Sequence, residues 1–359
     1  MKITSLFIGS ELLLGQTLNS NLFNLGQQLN AQGYQLHHSE TIPDDYQAMV
    51  DHIVQAHKNN DVVLVVGGLG PTSDDITRKA VAEALGLELE TSETVKKWLR
   101  EKLANRPTKP QEDYLERQSE NIVGAEILWN PTGLAPALKI EKNGKWLFLI
   151  PGPPREFNPV IAELVLPHIQ KQWPAEILSE TRLLFGTKES LVEDTIRPYL
   201  NDFPNVLPAY CASMGRVILR LDAHPIHHEE LKALTAKSDE IFAQEIVREA
   251  TLEAAVVNLL KEQKLSVATA ESCTGGLIGA ALTEVSGSSE VFVGSINTYA
   301  NEWKEKQLGV SAETLETVGA VSEECALAMV EGLCQRYSSN VGIAVTGIAG
   351  PGGGTVEKP

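Results

Sequence analysis

The first 170 residues alternate between short, mainly apolar runs and longer stretches in which apolar residues recur every three or four positions. The strand-like runs are Ile3–Ile8, Asp61–Val66 and Trp146–Ile150, and the helix-like stretches are Gly9–Leu29 and Ile76–Leu85. Short β-branched runs are typical of strands buried on both faces of a sheet, and Gly86 marks a helix end. Strand, loop and helix repeated in this way predict an α/β domain with a parallel sheet over residues 1–170.

The pattern changes between residues 175 and 247 and then returns. The middle segment has strand-like runs at Ser179–Phe185 and Arg216–Leu221 and helix-like stretches at Ser190–Leu200 and Glu229–Ile246. It predicts a small α+β domain that carries no chemical motif and serves as a spacer or dimerisation unit. Residues 250–359 resume the α/β pattern. Their helix-like stretches are Leu252–Leu260, the segment from Gly275 onward, and Ala326–Leu333; their strand-like runs are Ser266–Thr269, Val291–Ile296 and Val341–Val345. Three domains fit 359 residues at roughly 150 residues per domain.

Composition narrows the class of protein. With 43% hydrophobic and 21% charged residues, the chain is typical of folded globular proteins. Its net charge of −17 argues against general binding to nucleic acid or anionic membranes, which needs clustered Lys and Arg. The four cysteines form no CxxC pair, and Glu11 interrupts the apolar amino terminus, so we expect no disulfide framework and no signal peptide. With no apolar run of about 18 residues either, we expect a cytoplasmic protein.

The glycine-rich stretch Gly67–Asp75 (GGLGPTSDD) lies between a predicted strand and a predicted helix. Glycines there allow close backbone approach, and the helix N-terminus favours an anion. Two aspartates would repel a bare phosphate unless a divalent cation bridged them to it. The alternative is a plain glycine turn with Asp as the helix cap. The stretch matches neither the GxGxxG nor the GxxxxGK[ST] pattern.

Several blocks together carry a resemblance to a known family. In the first domain they are IGSELLLGQTLNSN, DVVLVVGGLGPTSDDITRKAVA and IPGPPREF; in the last they are AESCTGG, GSSEVFVGSINTYANEWKEKQLGV, GAVSEE and VTGIAGPGGGTVEKP. The chain resembles the CinA family of competence/damage-inducible proteins, with an amino-terminal molybdopterin-binding-like domain and a carboxy-terminal nicotinamide mononucleotide deamidase domain. Blocks in the same order cover nearly the whole chain.

For the first domain, the resemblance implies hydrolysis of the ADP-ribose pyrophosphate bond, with a divalent metal (Mg, Mn or Co) and potassium as a further candidate. The residues implied to bind phosphate are Gly67, Gly68, Gly70, Thr72 and Ser73, and those implied to hold metal are Asp74, Asp75 and Glu11. A metal there would polarise phosphoryl oxygens. Arg155 could clamp a phosphate, or could equally be a surface arginine paired with Glu156.

For the last domain, the resemblance implies amide hydrolysis by a serine–lysine pair with Ser289 as nucleophile and Lys304 as base. Such a lysine has to be neutral, hence desolvated or close to other cations; without the resemblance it reads as a solvated helix lysine. A thiol at a helix start, Cys273, is a rival nucleophile. Further site positions implied by the resemblance are Ser272, Tyr299 and Thr346, for substrate orientation and proton relay. Gly275 and Gly276 open a predicted helix whose N-terminus could face the substrate phosphate.

The family pattern continues beyond its last block with another strand, an arginine-bearing stretch and a closing helix. We therefore expect the carboxy-terminal domain to be incomplete in this chain and its deamidase activity to suffer. The expected partners are ADP-ribose, nicotinamide mononucleotide and a second copy of the chain in a homodimer. Two other functions stay open: a non-catalytic nucleotide- or pterin-binding scaffold for competence or DNA-damage partners, and a molybdopterin-handling activity, which rests on fold analogy alone.

Overall fold

The computed structural model describes residues 1–104, 111–213 and 215–355. In it, the run Ile3–Ile8 becomes strand β1, all six of whose residues are buried. The remaining strands up to residue 150 are β2 (Leu36–Ile42), β3 (Val62–Val66), β4 (Leu89–Thr91), β5 (Glu120–Ile122), β6 (Glu126–Leu128), β7 (Ala137–Lys142) and β8 (Lys145–Ile150). The helices are α1 (Ser10–Leu13), α2 (Ser20–Ala31), α3 (Tyr46–Asn59), α4 (Thr77–Leu85), α5 (Glu93–Leu103), α6 (Glu112–Gln118), α7 (Pro154–Val160) and α8 (Leu166–Gln172), the last two joined by a π-helical turn. The predicted α/β class is confirmed.

The main sheet has the strand order β2-β1-β3-β8-β7-β6. The first four strands are parallel, as predicted, whereas β7 pairs antiparallel with both β8 and β6. The parallel sheet is therefore extended at one edge by antiparallel pairing, which the sequence pattern did not predict. The reason is a two-residue hairpin between β7 and β8: Asn143 and Gly144 have φ of 54° and 72°, the positive values that a type I′ turn requires.

The stretch Gly9–Leu29, predicted as one helix, forms two. The chain leaves α1 through Gly15, whose φ is 70°, a conformation that a helix does not contain. Helix α2 then begins at its own cap, because the side chain of Asn19 accepts a hydrogen bond from the backbone N–H of Leu22 at 3.1 Å. The sequence pattern did not predict the polar loop between the two helices, because apolar residues are spaced regularly on either side of it.

Alternate residues of the central strands supply two apolar cores, one on each face of the sheet. Phe7 and Leu64 pack on one face with α2 and with Phe157 of α7. Leu6 and Val65 pack on the opposite face with α3 and α4. Because both faces are covered, the loops at the carboxyl ends of the parallel strands are left at one edge, where they can form a site.

The segment from residue 178 to 247 contains a four-stranded sheet of order β10-β11-β9-β12. Its elements are β9 (Leu178–Phe185), α9 (Glu189–Ile196), β10 (Val206–Ser213), β11 (Arg216–Ala223), α10 (His228–Ile241) and β12 (Ile246–Val247). This mixture of strands and helices is the predicted α+β pattern.

The last part of the chain forms a three-stranded parallel sheet of order β14-β13-β15. Its elements are α11 (Leu252–Gln263), β13 (Val267–Glu271), α12 (Leu277–Thr283), β14 (Phe292–Asn297), α13 (Asn301–Leu308), α14 (Ala312–Thr317), α15 (Glu323–Tyr337) and β15 (Val341–Val345). The middle strand β13 is wholly buried. Its carboxyl end, at Glu271, lies level with Asn297 of β14 and Val345 of β15.

The chain divides into two compact units. One comprises residues 1–180, 202–207 and 221–234, and the other comprises residues 181–201, 208–220 and 235–359. The domain boundaries near residues 170 and 247 stay predictions. Among the described residues, no helix is both long enough and apolar enough to cross a membrane.

Candidate functional site

The first unit has a cavity of about 840 Å³ at the carboxyl ends of β1, β3 and β8. Its walls are the loops that follow these strands, together with the start of α2 and the loop that precedes β7. The predicted site residues on its lining are Gly67, Gly68, Gly70, Asp74, Asp75 and Glu11. Thr72, Ser73 and Arg155 are not on the lining, so the structure brings together only part of the predicted set.

The loop after β3 requires glycine at two successive positions. A Cβ on Gly67 would lie 2.6 Å from the carbonyl oxygen of Ile8, and a Cβ on Gly68 would lie 2.2 Å from the hydroxyl oxygen of Thr77. Both glycines also have positive φ, 106° and 65°. The ends of β1 and β3 therefore approach each other closely, and the backbone itself forms the floor of the cavity.

The two aspartates of this loop converge on one threonine. The hydroxyl oxygen of Thr72 lies 2.5 Å from a carboxylate oxygen of Asp74 and 2.5 Å from one of Asp75. A hydroxyl has one proton and can donate to only one of them at a time. The bond from Thr72 lowers the pKa of Asp74, and the backbone N–H of Asp74 adds to this effect. Two carboxylates on one hydroxyl form a set of oxygen ligands that suits a hard divalent cation.

The residues predicted to hold a metal do not form a complete metal site. Glu11 lines the same cavity, but its side chain folds back over Gly9: a Cβ on Gly9 would lie 2.6 Å from a carboxylate oxygen of Glu11. Among the residues that the structure describes, no group of three or more His, Cys, Asp or Glu side chains could hold a metal ion. A cation bound by Asp74 and Asp75 would therefore need phosphate oxygens or water as its other ligands, as Mg²⁺ often does.

The cation on the lining is Lys102, which the sequence did not single out. From the last turn of α5, its ammonium donates to the carbonyl oxygens of Asn130, Pro131 and Gly133 at 2.9, 3.4 and 3.2 Å. Arg155 is exposed and contributes its carbonyl oxygen to the hydroxyl of Thr132 instead. The predicted phosphate clamp at Arg155 is thus not part of the cavity.

A buried cation follows the same loop in the chain. Arg78, in the first turn of α4, is 3% exposed. Burial lowers its pKa to about 10, against the opposing effect of Glu120 and Asp75. No sequence pattern marked it, because an arginine between Thr77 and Lys79 is expected on a solvated helix face.

The second unit brings Ser272 and Lys304 together. The lysine lies on α13 and is 1% exposed, and its nitrogen is 3.0 Å from the hydroxyl oxygen of Ser272. It also donates to the carbonyl oxygens of Thr298 and Tyr299, at 2.8 and 3.1 Å. A neutral amine has two protons and one lone pair. The two carbonyls can take the protons, which leaves the lone pair for the hydroxyl proton of Ser272.

Burial favours that neutral form. Desolvation lowers the pKa of Lys304 below its ordinary value, and the nearby thiols of Cys325 and Cys273 partly oppose this. Among the residues that the structure describes, no carboxylate pairs with this lysine. The predicted desolvated lysine is therefore present, in a helix whose sequence NEWKEK gives no sign of it.

Ser289 is placed elsewhere. It is exposed, in a short 3-10 helix just before β14, whereas Lys304 contacts the chain just after β14 ends. The six residues of this strand span about 17 Å at roughly 3.3 Å each. The described chain therefore does not bring together the pair of Ser289 and Lys304 that the resemblance implies: the strand separates them, and the lysine contacts Ser272 instead.

Three other predicted residues of this unit are Tyr299, Thr346 and Cys273. Tyr299 offers its carbonyl oxygen to Lys304 while its ring is exposed, and the Thr346 hydroxyl donates to the carbonyl of Ala320 at 2.7 Å. The backbone N–H of Ser272 donates to the carbonyl of Val345, which places Thr346 beside it. Cys273, the rival nucleophile, is half-buried in the same turn.

Gly275 and Gly276 do not face a substrate phosphate. The N–H of Gly275 donates to the carbonyl of Ser272, and that of Gly276 donates to the buried carboxylate of Glu271. The same carboxylate accepts the N–H groups of Ile278 and Gly279 in the first turn of α12. The expected anion site at this helix start is already filled by the protein's own carboxylate.

Comparison with known proteins agrees with this two-part arrangement. A family model described as a probable molybdopterin binding domain matches residues 4–171, and one described as the CinA C-terminal domain matches residues 249–359. The CinA-like protein of Kosmotoga olearia is 36% identical over 373 residues, and the putative competence-damage inducible protein of Moorella thermoacetica is 38% identical over 371 residues. Each alignment covers 100% of this chain and 88% of the relative.

A solved structure is also similar. The crystal structure of the protein CinA from Thermoplasma acidophilum is 27% identical, with a TM-score of 0.42, over 48% of this chain and 96% of that one. The decisive finding is the identity of more than a third with curated relatives along the entire chain. With a molybdopterin-binding-like amino-terminal part and a CinA carboxy-terminal part in this order, the chain belongs to the CinA family.

Proposed function

We propose that the second unit is a serine–lysine amide hydrolase that deamidates nicotinamide mononucleotide. The observation that carries this proposal is the 3.0 Å hydrogen bond between the buried amine of Lys304 and the hydroxyl of Ser272. A serine is a weak nucleophile until a base within hydrogen-bond reach takes its proton. The family supplies the substrate, because the deamidase resemblance and the match to the CinA C-terminal domain cover this part of the chain.

The reaction follows from this pair. Neutral Lys304 accepts the hydroxyl proton as the Ser272 oxygen bonds to the amide carbon of the nicotinamide group. Lys304 then returns the proton to the amide nitrogen. The carbon–nitrogen bond breaks, ammonia departs, and the acyl group stays on Ser272 as an ester. Water, deprotonated by the same amine, hydrolyses the ester and restores the serine.

Incubation with nicotinamide mononucleotide tests this function directly. We expect release of ammonia and of the corresponding acid in equal amounts, and no release from Lys304→Met, which keeps the length of the side chain but has no base. Lys306, exposed on the same helix and paired with Glu302, provides the control, because Lys306→Met should react normally. A protein that binds the nucleotide without releasing ammonia would contradict an amidase and favour the scaffold function.

The pH dependence of deamidation follows from the lowered pKa of Lys304. The base is the neutral amine, so kcat should rise with pH through an inflection below the ordinary lysine value of about 10.4. The direction is fixed because protonation at lower pH removes the lone pair. A kcat profile measured from about pH 6 to about one unit above the ordinary lysine value checks this, with Lys306→Met expected to leave the inflection in place. An inflection at the ordinary lysine value would speak against a desolvated base.

We propose, as a second activity, that the cavity of the first unit hydrolyses the pyrophosphate of ADP-ribose to AMP and ribose 5-phosphate. The paired carboxylates at Thr72 support it, together with a cavity volume of about 840 Å³, within the usual range for small-molecule sites. Asp74 and Asp75 would hold a divalent cation, which would neutralise phosphoryl charge. Potassium, and a homodimer, stay predictions.

Replacing both aspartates tests this second activity. Asp74→Asn with Asp75→Asn should lower ADP-ribose turnover at least about 100-fold at any divalent cation concentration, because amides neither carry the charge nor bind hard cations well. AMP release is the measurement. Asp51→Asn, an exposed position on α3 that bonds Gln47, is the control. Equal turnover by the double variant and the wild type would exclude this cavity as the site.

A further inference from the structure

The residue that precedes Ser272 is a fully buried carboxylate. Glu271 ends β13 with 0% exposure. Burying a carboxylate costs free energy unless its oxygens accept several hydrogen bonds. No sequence motif singles out this position.

Both carboxylate oxygens accept backbone N–H groups from the chain that follows Ser272. One oxygen takes the N–H of Gly276 and of Ile278, at 3.0 and 3.1 Å. The other takes the N–H of Gly279 at 2.8 Å, and it is also bonded by the hydroxyls of Thr269 and Ser295 at 3.2 and 3.4 Å. Burial alone would raise the pKa of Glu271, but these bonds hold it below its ordinary value, so the group is ionised.

These bonds close a loop around the serine. The carboxylate belongs to the residue before Ser272 and accepts bonds from Gly276, Ile278 and Gly279, which follow Ser272 in the chain, so the turn from 272 to 276 cannot open without breaking these bonds. Within that turn, the Gly275 N–H donates to the carbonyl of Ser272, while the Ser272 N–H donates to Val345 of β15. The hydroxyl of Ser272 meets Lys304 only when this turn is held in place.

We infer that Glu271 is a positioning residue, an internal anion that fixes the turn bearing Ser272 so that its hydroxyl meets the amine of Lys304. This inference rests on the proposed amidase function and deepens it. Glu271 does not touch the reacting atoms. It also occupies the start of α12, so the phosphate of the substrate must be bound by other parts of the site.

The test is Glu271→Gln. An amide nitrogen donates and does not accept, and in either orientation it would face backbone N–H groups, so the turn must shift. We expect kcat for nicotinamide mononucleotide to fall about 100-fold, the loss that a misplacement near 1 Å can cause, while KM changes less than threefold. Glu290→Gln, a surface glutamate paired with Lys261, is the control and should match the wild type. A folded Glu271→Gln with kcat within twofold of the wild type would overturn the inference.

Two further measurements keep the inference testable. If Glu271→Gln does not fold, Thr269→Val with Ser295→Ala removes only the hydroxyl bonds to the carboxylate. A severalfold fall in kcat at unchanged KM is then expected, and unchanged kcat would overturn the inference. The rate at which a fluorophosphonate labels Ser272 should fall in parallel with kcat. That rate needs no substrate, so failure of the wild type to release ammonia would refute the amidase alone, whereas equal labelling of wild type and variant would refute the positioning role.

Discussion

Ser272→Ala should abolish deamidation of nicotinamide mononucleotide, lowering kcat by at least about 10³-fold, because Ser272 supplies the hydroxyl that bonds the amine of Lys304 in the described part of the chain. Ser289→Ala should stay within about twofold of the wild type, since its exposed side chain lies before β14, at the opposite end of that strand from Lys304. Ammonia release under saturating substrate is the measurement. The two variants differ by the same single oxygen atom from the wild type, so each is the matched control of the other.

The result also separates the serine from the thiol beside it. Cys273→Ala should keep far more activity than Ser272→Ala, although its proximity to the turn allows a modest loss. If Cys273→Ala were the inactive variant and Ser272→Ala the active one, the nucleophile would be the thiol. If Ser289→Ala were inactive, the second unit would have to use a geometry different from the one described.

Gly332→Ala should destabilise the second unit by about 1–2 kcal/mol net and remove most of its deamidase activity. A Cβ at Gly332 of α15 would lie 1.9 Å from the carbonyl oxygen of Leu308, the last residue of α13. The atoms nearest to this Cβ all belong to the backbone of Leu308, so one of the two helices has to move. Overpacking of this kind costs about 1–3 kcal/mol or more. This cost outweighs the gain of roughly 1 kcal/mol from replacing a helical glycine by alanine. Because α13 carries Lys304, the shift also displaces the base.

Urea unfolding and ammonia release measure the two effects of this substitution separately. Gly352→Ala is the control, because a Cβ there meets nothing within 4 Å, and it should leave both unchanged. Gly332→Ala with wild-type stability would show that α13 and α15 can separate freely. Wild-type activity with lowered stability would show that the position of Lys304 tolerates the shift.

Apolar periodicity was sufficient to predict most strands of the two α/β sheets. Runs such as Val62–Val66 are buried on both faces and therefore contain no polar residue. Periodicity failed where a turn depends on backbone conformation, as at Gly15, and where a hairpin reverses the chain, as at Asn143–Gly144. The latter dipeptide is a hairpin signal that could have been read from the sequence.

The candidate sites were less accessible from sequence, because they depend on which strand ends meet. Both Lys304 and Ser289 were taken from the family resemblance, and the expectation that they meet did not allow for the length of β14. Glu271 and Lys102 gave no signal at all. Lys102 bonds backbone groups 28 to 31 residues away, and Glu271 bonds backbone groups five to eight residues away. Such bonds leave no trace in residue spacing.

The two α/β sheets share one feature of strand order: the first strand lies between the second and the third, as β2-β1-β3 and as β14-β13-β15. The chain leaves the first strand toward one side of the sheet and later returns on the other, so the connecting loops diverge at a topological switch point and leave a crevice between them. The cavity floored by Gly67 opens at one such crevice, and the turn of Ser272 lies at the other. Grafting new loops onto either sheet would therefore alter specificity most at these two crevices, while the opposite edges should accept insertions with little effect on either activity.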